Sequence, residues 1–195
     1  RNRVRITQKT GYPWEGFGNM PFEPEKEKTF ILKVRIPGWA QGVENPYGLY
    51  RSEVRSAVSL KVNGKSVPLK IFKGYAEIQR KWKKGDQVEL ILPVQPRLVT
   101  ANEAVADLQD KVAIAAGPFV YCLEGCDNEG LADLKVDMRS PLSITFEKGL
   151  LNGINVIKGQ ALDKTGKKVP VTAIPYYALG NRQDKGYAVW IPASK

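Results

Sequence analysis

Apolar residues recur at every second position through most of this chain, and that period limits its fold more than any other feature. Phe30, Leu32, Val34 and Ile36 alternate with Thr29, Ile31, Lys33 and Arg35. Successive side chains of an extended strand point to opposite faces, so the pattern writes one buried and one largely wetted face. Val58, Leu60 and Val62 repeat it, Asn63-Gly64 offers the positive-φ pair of a type I′ turn, and Val67, Leu69 and Ile71 return. Residues 57–71 therefore read as a hairpin. Pro68 has no N–H to give a ladder, so the returning arm is expected to be an edge or bulged strand. A further pair follows, from 74–78 through the turn Lys83-Lys84-Gly85-Asp86 to Val88, Leu90 and Leu92.

Beyond residue 105 the pattern resumes at 111–116, breaks at Gly117-Pro118 and continues at 119–124, rich in aromatic and β-branched residues. More strands read at 134–138, 142–147, 154–158, 168–174 and 186–191, parted by turns such as Asn152-Gly153 and Thr165-Gly166. No helical stripe extends beyond about ten residues, and residues 102–108 read as one helical turn or an extended linker. Short strands at this spacing predict an all-β sandwich or barrel. Pro93 and Pro96 interrupt the alternation, so a soft boundary near 100–104 divides the chain into two consecutive antiparallel, jelly-roll-like β-sandwich domains, 1–102 and 103–195. A chain of 195 residues buries about 70% of its unfolded surface and needs no metal or disulfide framework.

The sequence has no histidine, which removes an imidazole general base, histidine-ligated zinc and the Ser-His-Asp triad. Its two cysteines, Cys122 and Cys126, lack a second pair to complete a thiolate zinc site. They are expected to be packed thiols, with a small disulfide loop as the alternative. Apolar runs such as Val112 to Ala116 fall far short of the roughly 20 residues that span a bilayer, and no N-terminal signal pattern is visible. Thirty basic against twenty acidic residues give a net charge of +10, which favours polyanions. Yet Lys26 and Lys28 interleave with Glu25 and Glu27, and Lys33, Arg35, Lys61, Lys70, Lys73 and Lys81 occur singly, as on wetted strand faces. A solubilised surface is the plainer expectation. Glycoside hydrolysis needs a matched pair of carboxyls, and Glu25, Glu27, Glu77, Glu89 and Asp86 fall on expected wet faces or turns. Gly16-Phe17-Gly18 lacks the third glycine and the helix of a phosphate loop.

Aromatic residues offer a binding surface instead. Tyr12, Trp14, Trp39, Tyr47 and Tyr50 lie in turn-rich stretches, where packing at a rim or against a neighbouring domain is expected and sugar stacking is the alternative. Nucleic acid would require basic and aromatic residues to converge on one sheet face. Residues 40–56 form a long stretch between strands, where a ligand or partner of the first half is expected to dock.

Several strings, taken in order, resemble one family. They are Tyr12-Pro13-Trp14-Glu15-Gly16, Leu32 through Ala40 (LKVRIPGWA), Val62-Asn63-Gly64, and Gly74-Tyr75-Ala76-Glu77-Ile78 with Trp82 and Gly85-Asp86. Gly117 through Glu124 (GPFVYCLE), Pro175-Tyr176-Tyr177-Ala178 with Asn181-Arg182, and Val189-Trp190-Ile191-Pro192 continue the series. From about residue 5 to residue 192 the set resembles the C-terminal portion of the β-L-arabinofuranosidase-type glycoside hydrolases, family 127. The resemblance implies β-sandwich domains that follow an α/α toroid carrying catalytic glutamates and a zinc-bound cysteine nucleophile. That catalytic motif has no counterpart here, and Cys122 corresponds to a strand cysteine. No catalytic residue, cofactor or metal is therefore expected in this chain, zinc belonging to the toroid. Ala106-Asp107-Leu108-Gln109 and Ala115-Ala116 depart from the basic residues that relatives usually show before the Gly-Pro. The implied partner is the catalytic toroid of the same polypeptide, with arabinose-containing plant polysaccharide beyond it and neither nucleic acid nor membrane. The expected interface or carbohydrate contacts are Tyr12, Trp14, Trp39, Tyr47, Tyr50, Tyr176, Tyr177, Asn181 and Arg182. A free-standing carbohydrate-binding module is the alternative.

Overall fold

The computed structural model describes residues 3–45, 47–53 and 56–194. Its strands, in chain order, are β1 (Val4–Ile6), β2 (Lys9–Thr10), β3 (Phe17–Pro24), β4 (Lys28–Arg35), β5 (Tyr50–Ser52), β6 (Ser59–Val62), β7 (Lys65–Ser66), β8 (Ile71–Phe72), β9 (Tyr75–Trp82) and β10 (Gln87–Ile91). They continue with β11 (Pro96–Ala101), β12 (Lys111–Ala116), β13 (Phe119–Glu124), β14 (Lys135–Asp137), β15 (Ser143–Glu147), β16 (Ile154–Leu162), β17 (Lys168–Pro175), β18 (Tyr187–Ala188) and β19 (Ile191–Ser194). The only helical pieces among the described residues are single 3-10 turns, one of them at Ala106–Leu108 inside the ambiguous stretch 102–108. The all-β architecture follows the period-two patterning.

The chain divides into two compact units, Arg1–Gln41 with Val54–Val94, and Gly42–Glu53 with Gln95–Lys195. In the first, a sheet ordered β1-β3-β10-β6-β7, with β2 also on β3, shares a core with the sheet β4-β9-β8. Phe22, Leu60, Val62 and Val88 come from one sheet and Val34, Ala76, Ile78 and Trp82 from the other. Trp82 sits at the centre, fully buried, its ring 4.6 Å from that of Phe22 and 5.7 Å from that of Phe30, its indole N–H donating to the Phe30 carbonyl at 3.1 Å.

Asn63 and Gly64 have φ of 51° and 75°, the left-handed pair that a type I′ turn requires. The returning arm differs from expectation. Its pairing with β6 stops at Ser66, apart from one further bond from Val67 N–H to Leu60 O at 2.9 Å. Pro68 then marks the crossing to the other sheet, where β8 pairs with β9. A proline fits there because the connection asks for no ladder N–H. Asp86, expected on a wet turn, is only 1% exposed. It accepts from Asn63 Nδ2 at 2.8 Å and Lys83 N–H at 2.9 Å, and pairs with Arg80 at 3.5 Å. Burial opposes its charge, but these partners outweigh burial and hold the carboxyl below its ordinary range.

In the second unit the strand path β13-β17-β16-β14-β19-β12 closes on itself through β12–β13, so the sandwich is a ring of strands, extended by β11 and β5 beyond β12 and by β18 on β13. Closure removes exposed edges. The pairings are antiparallel except β14–β19, which is parallel. Val112, Ile114, Tyr121, Leu123, Val136, Ile157, Ala173 and Ile191 fill the interior.

The division falls at 94/95, whereas the interrupted alternation suggested 102/103. Pro96 opens β11 instead of ending a domain, since the first residue of a strand tolerates a missing N–H. Residues 42–53 join the second unit as well, because β5 pairs with β11 (Thr100 opposite Arg51) and Val43 bridges to Arg51. The long stretch 40–56 is thus partly an added edge strand, and its Pro46, Val54 and Arg55 lie outside the described residues. The single strand expected at 186–191 is two short ones, β18 and β19.

Candidate functional site

The second unit carries an aromatic face with an ion-pair network behind it. A 3-10 turn, Tyr176–Ala178, leaves the end of β17 and turns Tyr176 and Tyr177 outward, each about half exposed. Tyr176 lies 6.4 Å from Tyr187 of β18, and Tyr177 lies 5.1 Å from Phe119 of β13. Below them, Glu124 is buried at the end of β13. The Arg182 guanidinium donates from Nε to Glu124 Oε2 at 3.0 Å and from Nη1 to Asp127 Oδ1 at 2.8 Å, and its Nη2 contacts both carboxylates. The other Glu124 oxygen accepts from Gly180 N–H at 3.0 Å. Asn128, also buried, donates to Glu124 O and Thr172 O and accepts from Thr172 N–H at 2.8 Å. Gly125 permits the close approach of the two loops, because a Cβ there would lie 2.1 Å from Lys185 O.

Of the residues expected from sequence, Tyr176, Tyr177, Asn181 and Arg182 are therefore gathered in one region. Their tasks differ. The tyrosines face outward, the Asn181 amide donates to Ala178 O at 3.0 Å, and Arg182 turns inward onto two carboxylates. Phe119 and Glu124 belong to the string Gly117–Glu124, but nothing local joins them to Arg182, 58 positions beyond Glu124, and Asp127 and Tyr187 complete the region without a local signal. Donor atoms of Glu124, Cys126 and Asp127 lie within 4.8 Å of one another, a spacing that suits a metal ion. Arg182 already engages both carboxylates, and burial together with Asp127 pushes the Cys126 thiol up, away from the thiolate a metal needs. The cluster is an ion-pair anchor.

A second anchor holds the 42–53 segment. Arg97 of β11 forms a fork with Glu44, Nε to Oε1 at 2.7 Å and Nη2 to Oε2 at 3.0 Å, while its Nη1 donates to Gly117 O at 3.0 Å. The Ser52 hydroxyl donates to the same Glu44 carboxylate. The side chains are 7% and 11% exposed, and burial raises the Glu44 pKa, yet Arg97 and Ser52 outweigh it and hold the carboxyl below its ordinary value. Tyr50 packs against Trp190 at 5.4 Å on this anchored strand, and Tyr47 projects beyond it, 82% exposed.

In the first unit, Trp39 leans on the core from a 3-10 turn at Gly38–Gln41, whereas Tyr12 and Trp14 are exposed. Tyr12 also borders a groove of about 450 Å³ at the open side of that unit. Cys122 is buried and Cys126 half-buried, both as free thiols.

Two β-sandwich units, each with its own core, the second with outward aromatics beside buried ion pairs, define a scaffold of the accessory kind. Residues 1–94 match the β-L-arabinofuranosidase GH127 middle domain, and residues 96–192 match the glycoside hydrolase family 127 C-terminal domain. The chain belongs to glycoside hydrolase family 127, as the ordered strings indicated. It is 23% identical over 206 residues to the non-reducing end β-L-arabinofuranosidase of Bifidobacterium longum subsp. longum, covering 92% of this chain and 29% of that protein. A GH127 β-L-arabinofuranosidase of Geobacillus stearothermophilus T6 superposes with a TM-score of 0.86 at 35% identity, over 99% of this chain and 31% of that one. A further GH127 β-arabinofuranosidase superposes at 0.87, also 35% identical, over 99% and 32%. The chain thus spans about a third of the length of these relatives.

Proposed function

We propose that this chain is the bracing β-sandwich region of a β-L-arabinofuranosidase-type glycoside hydrolase, and that it supports a catalytic portion of the same polypeptide without breaking bonds itself. The observation that carries the reading is the joint match to the middle and C-terminal domains, with only 29–32% of the relatives' length covered. In this reading the nucleophile and any zinc belong to the remaining portion, and arabinose-containing plant polysaccharide is the substrate of the whole. The face of Tyr176, Tyr177, Tyr187 and Phe119 is the proposed contact to that portion. Large aromatic side chains supply area, and anchoring by Arg182 lowers the entropy lost on docking.

The test is a double substitution, Tyr176→Ser with Tyr177→Ser, made in the isolated chain and in the full-length protein. The isolated chain should melt unchanged and leave β-L-arabinofuranosides intact, while the full-length variant loses common melting of its parts. Sugar turnover by the isolated chain would overturn the reading. So would binding of arabino-oligosaccharides that Tyr47→Ala abolishes, which would make the chain a carbohydrate-binding module.

A further inference from the structure

The first unit is a sandwich left open along one side. β4 is the last strand of its sheet and, among the described residues, pairs only with β9, so along its opposite edge every second residue turns N–H and C=O groups away from β9 with no described strand beside them. The 450 Å³ groove runs along this edge. Leu32 and Val34 line it together with Lys33 and Arg35, residues from both faces of one strand, which places the groove against the β4 backbone edge itself. Its floor is the inward face of the other sheet, with Met20 and Phe22 of β3 and Leu90 of β10, and Ile6 closes the far side. Gly18 leaves the floor low, since a Cβ there would meet nothing nearer than Thr10 Oγ1 at 3.6 Å.

We infer that this groove receives an extended strand from the remainder of the longer polypeptide, paired to the free edge of β4, with apolar residues turned inward and acidic residues outward. The inward pattern follows from the floor, which is apolar at alternate positions along β3. Outward acidity follows from charge: Lys33 and Arg35 are the charged residues that line the groove, and while Lys33 is matched by Glu77 of β9 at 2.9 Å, Arg35 donates to the Lys73 and Gly74 carbonyls and its charge is matched by no carboxylate among the lining residues. The four residues Leu32 to Arg35 span about 13 Å, room for a strand of four or five residues. The inference rests on the reading of the chain as part of a longer family 127 protein.

Hydrogen exchange on the isolated chain and on the full-length protein tests it. Amides of β4 that point away from β9 should exchange about tenfold or more slowly in the full-length protein, and should be unprotected in the isolated chain at every protein concentration. Gly18→Leu, which fills the groove from a position with room for the side chain, should release that protection in the full-length protein and leave β9 unchanged. Equal exchange of β4 in both proteins would overturn the inference, as would protection that survives Gly18→Leu. Protection in the isolated chain that rises with concentration would also overturn it, assigning the edge to a second copy. Protection of the Tyr176–Tyr187 face without protection of β4 would sink this inference alone. Protection of neither would sink the bracing role too.

Discussion

Replacing Arg97 by Met in the second unit tests what a buried ion pair does in this fold. The substitution keeps volume in a position that is 7% exposed but removes both hydrogen bonds to Glu44 and the one to Gly117 O. It leaves a carboxylate that is itself 11% exposed without its cation. Breaking a buried pair from one side costs about 3–5 kcal/mol, most of it the penalty of the stranded charge. With a urea slope near 2 kcal/mol per molar, the midpoint of the second unit should fall by about 1.5–2.5 M. Hydrogen exchange at β12 and β13 under increasing urea reads that unit separately from the first.

The pH dependence separates a stranded charge from a mere packing defect. In the wild type the folded-state Glu44 pKa lies below its unfolded value, so the stability it contributes is fully present above about pH 4.3 and is lost as pH falls through the lowered value. In Arg97→Met, burial without the guanidinium raises the folded-state pKa, so the penalty is largest at pH 7 and shrinks as pH falls and Glu44 takes a proton. The difference between the two proteins should therefore narrow from pH 7 to pH 5. Adding Glu44→Leu should recover most of the loss, because no buried charge then remains. A loss below about 1 kcal/mol, or one that is constant between pH 5 and 7, refutes the reasoning.

Three further outcomes are expected. Trp82→Ala should destabilise the first unit by about 3–5 kcal/mol, read as faster exchange in β3, β9 and β10 with the second unit unchanged. Asp86→Asn leaves the Lys83 N–H or the Asn63 amide facing an NH₂ group, so the first unit should lose about 1–3 kcal/mol at pH 7. Wild-type stability should drop as pH falls below about 4 while the variant's drops less, since the lowered Asp86 pKa makes its contribution present above that range. A thiol reagent should modify one cysteine of the native chain, Cys126, and two after unfolding, because Cys122 is buried with its pKa pushed up to about 12 by burial and then by Glu124; rapid loss of both thiols would contradict this.

What was legible in the sequence was whatever depends on neighbours in the chain. The strand at Phe30 to Ile36 and the Asn63-Gly64 turn are local, since period and turn chemistry are set within a few residues. β3 carries no readable period, because Gly18, Met20, Phe22 and Pro24 share its inward face, and a glycine and a proline hide the alternation. β5 carries none either, because three residues make no period, and its place is fixed through Glu44 by Arg97, far along the chain. Asp86 looked like an ordinary turn acid. Its burial depends on Asn63, which the β6–β10 pairing brings beside it. Tyr176, Tyr177, Asn181 and Arg182 were visible as a motif, but the division into outward rings and an inward guanidinium belongs to the β13–β17 register.

Both anchors in the second unit have the same construction, and it explains why arginine occupies each. Arg97 and Arg182 reach two groups at once, a carboxylate from a distant stretch and either a backbone carbonyl or a second carboxylate, which a planar fork does and a lysine ammonium does not. Compared with an apolar cluster of equal volume, such buried pairs add little net stability. They fix instead where a segment lies, one holding β5 with Tyr50 packed on Trp190, the other holding the loop beneath Tyr176 and Tyr187. A surface that only solubilised the fold would gain nothing from rings held in place. A surface that must meet a second domain gains affinity from it, because rotamers already fixed are not lost again on docking.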